Sequence, residues 1–496
     1  MTQAYEDVIE LEVESLEAIP VIADMGPSEA YPYPVLRKTG RTQIIQFKVL
    51  VLENDHAKVC WIPDLGGRIS SYTDKENDEF VPHWTSGATE AGPRGVTLDS
   101  GLQIQILGER RNSLGPVEYA IEELEHSDPE IRFFELCSGT GLSFEARWIL
   151  PSNSSQLHLQ VKLYNRTLDC QEASLNLLSG KSCYFSNGIL HRASPTRGLV
   201  ERSSSDLSVP FDLAPRQSVT WNATLYPFKG LVDPSVWSES GWCAIADDLI
   251  TLYSTEPGQA TILLDATGQT LEAKTALQSR DAQNVPLGGI KASAVRIHLP
   301  NGEELSWPGT NLIHKEAFRW QSSVRDAYES ALRALRHGSD SPFATTDPSC
   351  RHAAAILSAI AAIRAQDWSS AYDDLETALL YNGDDPLTWW LKAAINRLGE
   401  ADAETDDLLN AHFLSPLEPV LRAESFLASN LATKDPSALI ATMADNPESM
   451  VEVACLLLEM GLKRELFRWV DECRRHRENP MLNLLLAFAY LAEPGM

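Results

Sequence analysis

The stretch of residues 53–70 reads ENDHAKVCWIPDLGGRIS, and it decides the fold of the first part of the chain. Its first apolar segment ends on a proline and an acid, and the pair Gly66-Gly67 then allows the backbone to turn sharply or to be approached closely. Arg68 leads into a second apolar segment. This pattern predicts two strands that meet at a corner of a sheet.

Apolar and polar residues alternate through much of the chain between residues 40 and 310. In LHLQVKLY, residues 157–164, every second side chain is apolar, which is typical of a strand buried on one face. Similar segments occur at 41–52, 131–136, 141–150, 250–254 and 295–299, and dipeptides such as Asn-Gly and Pro-Gly separate the strands. Many strands without long helices between them predict a large antiparallel sandwich.

The period changes near residue 314. Residues 314–337 carry apolar side chains at helical spacing and stop before Gly338, so they predict a helix, and a Ser-, Asp- and Pro-rich linker follows. An acid or Asn then precedes Pro near each expected helix start: Asp347-Pro348, Asp385-Pro386, Glu418-Pro419, Asn446-Pro447 and Asn479-Pro480. Two of these steps are 33 residues and one is 28. The spacing is close to the 34-residue tetratricopeptide period and predicts stacked helical hairpins.

These patterns predict a multidomain chain of β and then α structure. We expect a β-sandwich domain over residues 1–313, a connecting helix and linker over 314–349, and a tetratricopeptide-like solenoid over 350–496, because 496 residues exceed one ordinary core. The last helix, MLNLLLAFAYL at 481–491, is apolar nearly all round. It must therefore either dock onto the repeats or form a contact between copies in a homo-oligomer.

Composition and charge exclude several classes of partner. Acidic residues outnumber basic ones by 69 to 41, and the net charge of −28 repels nucleic acid and anionic lipid. The acidic start lacks the features of a signal peptide, and no apolar run is long enough to cross a membrane, so we expect a cytoplasmic protein. The eight cysteines form no Cys-x-x-Cys motif, and no phosphate loop, dinucleotide fingerprint or Ser-His-Asp order is present. We expect structural thiols, no metal and no cofactor.

Three short motifs resemble one known family. The corner motif at 53–70, LYNRT at 163–167 and WNATLYPFKG at 221–230 are similar to segments of the galactose-mutarotase-like β-supersandwich proteins that carry C-terminal tetratricopeptide-like repeats. The resemblance covers roughly residues 30–335. It implies a concave sheet face that binds carbohydrate, where a carboxylate and a histidine act as acid and base on aldoses or glycosides. The segment after the corner departs from the family, because its histidine cluster is absent.

The resemblance directs attention to a few residues around the corner. Arg68 either reaches a sugar from the cleft or forms a structural ion pair with Asp64 or Asp74. His83 is an acid/base candidate beside a stacking Trp84, or both lie on a surface loop. Glu109 is a candidate base whose pKa the neighbouring Arg110 and Arg111 would set, or part of a solvated turn. The remaining candidates are Arg94 and Arg110 for substrate binding and His191 for catalysis.

Two functions compete at this point. The first is carbohydrate binding in the concave face, with acid/base chemistry on glycosides or aldoses. The second is a non-catalytic scaffold that binds a protein partner through a groove of the helical repeats. Tyr381, Trp389 and Trp390 belong either to that groove or to the core between helices. The tryptophans of the β part belong either to the core or to a sugar platform: Trp61, Trp84, Trp148, Trp221, Trp237 and Trp242.

Overall fold

A computed structural model describes most of the chain. The described residues are 1–18, 36–75, 78–79, 88–92, 95–98, 101–106, 116–123, 127–137, 140–178, 182–185, 188–194, 197–203, 207, 210–229, 235–237, 241–246, 248–254, 256–266, 269–278, 282–308, 320–338, 343, 345, 347, 350–399, 405–428, 447–476 and 480–491.

Antiparallel strands make up the first part. In order they are β1 (Gln3–Ala18), β2 (Leu36–Glu53), β3 (Ala57–Ile62), β4 (Arg68–Asp74), β5 (Asp78–Glu79), β6 (Ala88–Gly92), β7 (Gly95–Leu98), β8 (Gln103–Ile106), β9 (Glu118–Glu122), β10 (Glu130–Cys137), β11 (Leu142–Ile149), β12 (Leu157–Asn165), β13 (Gln171–Ala173), β14 (Leu175–Leu178), β15 (Ser182–Phe185), β16 (Gly188–Ser194), β17 (Arg197–Ser203), β18 (Phe211–Leu213), β19 (Ser218–Lys229), β20 (Val236–Trp237), β21 (Gly241–Ala246), β22 (Leu249–Ser254), β23 (Gly258–Ala266), β24 (Gln269–Leu277), β25 (Gln283–Pro286), β26 (Ala294–His298) and β27 (Glu304–Trp307).

The strands form two layered β units. A five-stranded sheet, ordered β1-β2-β3-β4-β5, faces an eight-stranded sheet, ordered β15-β16-β17-β19-β12-β11-β10-β9. Further along the chain, the sheets β20-β21-β22-β25 and β24-β23-β26-β27 enclose a smaller core that includes Ile250, Leu252, Ile262 and Ile297. Three two-stranded sheets complete the described strands: β13-β18, β14-β8 and β6-β7.

The corner motif lies between β3 and β4, as the sequence predicts. A short 3-10 helix, Pro63–Leu65, follows β3, and Gly66 and Gly67 then take left-handed φ angles of 74° and 65°. The Gly67 amide donates to the Ile62 carbonyl over 3.1 Å, and β4 returns antiparallel to β3. The two glycines are needed because other residues rarely adopt this backbone conformation.

The corner is packed against the core of the larger β unit. A side chain at position 67 would begin 3.0 Å from Val117 and 3.4 Å from the ring of Phe133. On β3, the Trp61 ring lies 5.6 Å from the Trp148 ring of β11 and so joins the two sheets. Trp148 and Trp221 are also buried in this core, and Trp242 is buried beside Tyr253 in the smaller unit.

Gly67→Ala should lower the free energy of unfolding by about 2–4 kcal/mol, because it combines a left-handed backbone with crowding against Val117. Gly40→Ala is the matched control, since Gly40 has a φ of 69° and nothing within 4 Å of the added methyl group. It should cost only about 1–2 kcal/mol. Urea unfolding of both variants measures the difference, and equal losses would show that the corner is not crowded.

The strand β1 lies at the edge of the five-stranded sheet. Among the described strands it pairs with β2 alone, over residues 3–18. Its sequence carries six acidic residues: Glu6, Asp7, Glu10, Glu12, Glu14 and Glu17. Some of them contact the next strand, as in the 3.3 Å ion pair between Glu6 and Lys48. Two exposed apolar side chains lie close to these acids, Val8 on β1 and Ile44 on β2.

Helices make up the second part. They are α1 (Ser322–Arg336), α2 (Arg351–Arg364), α3 (Trp368–Tyr381), α4 (Pro386–Leu398), α5 (Thr405–Leu414), α6 (Pro419–Ala428), α7 (Pro447–Glu459), α8 (Lys463–His476) and α9 (Pro480–Leu491). Four of them begin at a proline of the predicted repeat, where the missing amide hydrogen costs little. The order of antiparallel sheets followed by paired helices confirms the predicted fold class.

The helices share one core that reaches the β part. Trp390, Phe426 and Trp469 are buried in it together with Tyr164 and Leu168 of the larger β unit. The last helix, α9, docks through Leu482, Leu485 and Leu486. Its Leu484 and Tyr490 are about half exposed. The predicted docking of α9 onto the other helices is therefore confirmed, and a contact between copies stays a prediction.

Candidate functional site

The eight-stranded sheet turns one face toward the core and the other away from it. On β12 the side chains of Leu157, Leu159, Val161 and Leu163 are buried in the core, so the even-numbered residues belong to the outer face. Cross-strand pairing extends this alternation to β9, β10, β11 and β19. The outer face therefore presents rows of side chains at right angles to the strands.

Four such rows follow from the register. The first contains Glu122, Glu130, Ile149, His158 and Thr224; the second Ala120, Arg132, Arg147, Gln160 and Asn222; the third Glu118, Phe134, Glu145, Lys162 and Thr220; the fourth Leu136, Ser143, Tyr164 and Ser218.

The helices cover the third and fourth rows. The Tyr164 hydroxyl donates to Asp385 at the start of α4 over 2.5 Å, and the Lys162 ammonium donates to the Asp384 carbonyl over 3.2 Å. Phe134 and Leu136 contact Leu417, which lies just before α6. The helical part therefore lies over the third and fourth rows and borders the first and second rows on one side.

The polar residues of the first two rows form what we call the polar strip: Glu122, Glu130, Arg132, Arg147, His158, Gln160, Asn222 and Thr224. A chain of hydrogen bonds runs along it. Arg147 donates to Gln160 over 3.2 Å, and Gln160 donates to Asn222 over 3.1 Å. Beside them, a ring nitrogen of His158 lies 3.2 Å from the Thr224 hydroxyl. Three neighbouring strands are thus linked by planar polar groups.

Arg132 connects the carboxylates at one end of the strip. Its guanidinium contacts Glu122 at 3.0 Å, Glu130 at 2.5 Å and Glu145 of the third row at 3.3 Å. Arg147 also contacts Glu130, over 2.7 Å, and about a third of the Arg147 side chain is exposed. Two arginines and two glutamates of the strip balance one another, so the strip carries little net charge.

The pKa values of Glu130 and Glu145, which both contact Arg132, shift in opposite directions. Burial would raise the pKa of Glu130, but hydrogen bonds from Arg147 and Arg132 outweigh burial and lower it. Burial raises the pKa of Glu145 above its usual value, and the charges of Arg132 and Lys162 oppose this only in part. Opposite shifts in neighbouring carboxyl groups are the arrangement that separates an acid from a base.

A small cavity adjoins Glu145 beneath the helices. One carboxylate oxygen of Glu145 is buried and has no hydrogen-bond partner among the described residues. It lines a cavity of about 10 Å³ with Ser143, Lys162, Tyr164 and Ser415. This volume is close to what one water molecule needs. Glu145 and Glu130 are both buried, with 7% and 3% of their surface exposed.

Of the residues predicted around the corner motif, the structure describes Arg68 and the backbone of His191. Arg68 is fully buried, and its guanidinium donates to the Leu65 carbonyl over 3.0 Å and to Gln103 of β8. His191 lies in β16, where its backbone pairs with Leu199 and Ser182. The other candidates lie outside the described residues: His83, Trp84, Arg94, Glu109 and Arg110. Their roles toward a sugar stay predictions.

The aromatic candidates separate into core and surface. Trp61, Trp148, Trp221 and Trp242 are buried and contribute no sugar platform. In the helices, Trp390 is fully buried, Trp389 is partly buried beside Lys392, and Tyr381 is about half exposed and accepts a hydrogen bond from Arg351. Of the three residues proposed for a groove, Trp390 therefore belongs to the core.

Other chemistries find little support in the described residues. Seven of the eight cysteines are free, and burial raises the pKa of Cys243, Cys455 and Cys473 to about 12, far from a reactive thiolate. No group of three or more His, Cys, Asp or Glu side chains in the described ranges is placed to hold a metal ion. Among the described helices, none has the length and apolar character needed to span a membrane.

Comparison with known proteins gives a family match over part of the chain. Residues 25–179 match a family described as a domain of unknown function, DUF5107. No curated protein matches the sequence.

Similar solved structures include both kinds of protein named in the resemblance. One is a TPR-domain containing protein from Parabacteroides distasonis, with 13% identity, a TM-score of 0.31, and coverage of 100% of this chain and 96% of that chain. Another is a galactose mutarotase-like protein from Clostridium acetobutylicum, with 8% identity, a TM-score of 0.26, and coverage of 37% and 96%. A third is a polysaccharide lyase, with 9% identity, a TM-score of 0.24, and coverage of 88% and 81%.

Proposed function

We propose that the chain binds a neutral saccharide on the polar strip. The observation that carries this proposal is the straight row Arg132, Arg147, Gln160 and Asn222, which the register aligns across four adjacent strands. Guanidinium and amide groups are planar and offer several donors and acceptors in fixed directions. A row of them suits the closely spaced hydroxyl groups of a sugar, which both donate and accept hydrogen bonds.

The charge of the strip favours a neutral ligand. Glu122 and Glu130 offset Arg132 and Arg147 within hydrogen-bond distance, so a phosphate or a polyanion gains no excess of positive charge there. The net charge of −28 opposes polyanions further. A sugar with uncharged hydroxyl groups therefore fits the strip better than a nucleotide or a nucleic acid.

Acid/base chemistry on the bound sugar would draw on Glu130 and His158. Both lie in the first row, separated by the strand β11, so their backbones are about 10 Å apart at the usual strand spacing. The lowered pKa of Glu130 keeps this carboxylate ionised at neutral pH. A carboxylate and a histidine are the pair that the family resemblance implies for aldose chemistry, and here they stand in the described part of the sheet.

Gln160→Ala should weaken saccharide binding about tenfold, because the amide links Arg147 to Asn222 in the middle of the row. A panel of neutral mono- and oligosaccharides is screened by thermal shift, since a ligand at a hundred times its dissociation constant stabilises the folded chain by about 2.7 kcal/mol. Isothermal titration then gives the dissociation constants for the parent chain and the variant.

Gln259→Ala is the matched control. Gln259 is an exposed residue of β23 in the smaller β unit, so the same substitution there should leave saccharide affinity unchanged. If no neutral saccharide binds, or if both variants lose affinity equally, the polar strip is not a carbohydrate site.

A further inference from the structure

A large groove opens in the helical part, away from the polar strip. It lies between the C-terminal ends of α1 and α2 and the connection from α7 to α8, and its volume is about 1460 Å³. That exceeds the range of about 300–1,000 Å³ typical of small-molecule pockets. A segment of polypeptide is therefore a better match in size than a small metabolite.

The floor of the groove is apolar. Ile363, Leu462 and Leu485 are buried at its base, and Leu458 and the Phe467 ring line it with partial exposure. Aliphatic side chains offer no hydrogen bonds to a polyol, whereas they gain from covering other apolar side chains. This floor favours a peptide with apolar residues over a saccharide.

The rim of the groove is more basic than acidic. It carries Arg336, Arg364, Lys463, Arg464 and Arg468 against three carboxylates, Glu459, Glu465 and Asp471, in a chain with 28 more negative than positive charges.

Two of these carboxylates already have cationic partners. Glu459 contacts Arg336 at 2.9 Å, and Glu465 contacts Arg468 of the rim at 3.4 Å as well as Arg397, which lies outside the groove, at 3.4 Å. Arg364 instead donates to the backbone carbonyls of Leu335 and Glu459, so its charge is not neutralised by these bonds. Arg464 is exposed and has no ion-pair partner among the described residues. The rim thus keeps a local excess of positive charge.

Burial lowers the pKa of Arg364, and the charge of the neighbouring Arg336 lowers it further, although Glu459 opposes both. Crowded cations of this kind are stabilised by an added anion. Salt limits the long-range negative field of the chain to about 8 Å under physiological conditions, so the charges of the rim decide what binds there.

We propose that this groove binds an acidic peptide segment of a partner protein, whose apolar side chains contact the floor while its carboxylates face Arg364, Lys463 and Arg464. The site is separate from the polar strip, and it gives the helical part a function of its own.

Arg464→Glu should weaken binding of an acidic peptide about tenfold or more, because it removes an attractive charge and adds a repulsive one. The probe is a fluorescein-labelled twelve-residue peptide with leucine at positions 4 and 8 and glutamate at most others, and fluorescence anisotropy of the full chain measures its dissociation constant. Two matched peptides replace every glutamate by glutamine or both leucines by serine. Each should bind about tenfold more weakly than the probe.

Arg475→Glu is the control variant, since Arg475 is an exposed residue of the same helix α8, does not line the groove, and gives the same change in net charge. It should alter the affinity less than twofold. Failure of the probe to bind, equal binding of the glutamine peptide, or equal loss in both variants would overturn the proposal. So would a change in the oligomeric state with Arg464→Glu in sedimentation, because the groove would then be a contact between copies of this chain.

Discussion

Glu418→Ala should lower the free energy of unfolding by about 3–5 kcal/mol, because it leaves the charge of Arg166 buried without its main partner. Arg166 follows β12, and Glu418 precedes α6, 252 residues later in the chain. Two hydrogen bonds of 2.7 and 3.1 Å join them, and both side chains are almost fully buried. A second contact, to Glu452 at 3.5 Å, is too long and too exposed to replace them.

Glu418→Ala should therefore also loosen the helices from the eight-stranded sheet. Chemical denaturation measures the stability, and limited proteolysis measures how readily the helical part separates. Replacing both partners together, as Arg166→Met with Glu418→Leu, should restore part of the loss, because no unpaired charge then remains.

Asp169→Asn provides a comparison at the same junction. Asp169 contacts Arg336 of α1 at 2.7 Å, but both side chains are more than 40% exposed. Surface ion pairs contribute at most about 1 kcal/mol, so this variant should change stability by less than that. A loss for Glu418→Ala no larger than the loss for Asp169→Asn would show that the Arg166 pair does not hold the two parts together.

The second large effect is expected at Asp385, the N-cap residue just before α4. Its buried carboxylate accepts hydrogen bonds from the amides of Leu387 and Thr388, from the Tyr164 hydroxyl and from a ring nitrogen of His352. Burial would raise its pKa, but His352, Arg216 and Thr388 together lower it to about 2. The ionised form of Asp385 is therefore strongly favoured in the folded chain.

Asp385→Asn should lower stability at pH 7 by about 2 kcal/mol, since the pKa falls from its usual 3.8 to about 2 on folding. A carboxylate with a depressed pKa stabilises the fold above its unfolded pKa, and this contribution disappears as the pH falls through the folded pKa. The difference between the parent chain and Asp385→Asn should thus be constant from pH 7 to about 5 and shrink between pH 4 and pH 2. Urea unfolding at several pH values measures it.

Asp367→Asn is the control for this measurement. Asp367 is also an N-cap residue, just before α3, and accepts a hydrogen bond from the Ser370 amide, but its carboxylate is fully exposed. Hydrogen bonds from Ser370 lower the pKa of Asp367 as well, but solvent screens this exposed carboxylate, so its removal should change the acid part of the stability profile much less than Asp385→Asn does. A difference between the parent chain and Asp385→Asn that persists to pH 2 would contradict the assigned role of the Asp385 charge.

Local patterns in the sequence predict the elements well. The alternation in residues 157–164 specifies which side chains of β12 enter the core, and the proline spacing specifies where four helices begin, because both patterns depend on neighbours in sequence. The glycine pair likewise predicts the corner. These features give the class of the fold without knowledge of which strands pair.

The candidate site depends on information that no single strand contains. His158 and Gln160 occupy the polar positions of the predicted strand, but their neighbours Arg147 and Asn222 come from two other strands, and their alignment follows from the register. The burial of Arg68 depends in the same way on Gln103 of β8. The motif places Arg68 at the corner correctly, and only the packing of distant strands reveals its surroundings.

The acidic strand at the edge of the five-stranded sheet has a consequence for solubility. An unpaired strand edge offers backbone groups to which a strand of another molecule can add, and this is a common first step in aggregation. On β1 such an addition would bring six carboxylates of one molecule against those of a second copy. The repulsion between the two sets of carboxylates opposes this addition and so protects the exposed Val8 and Ile44.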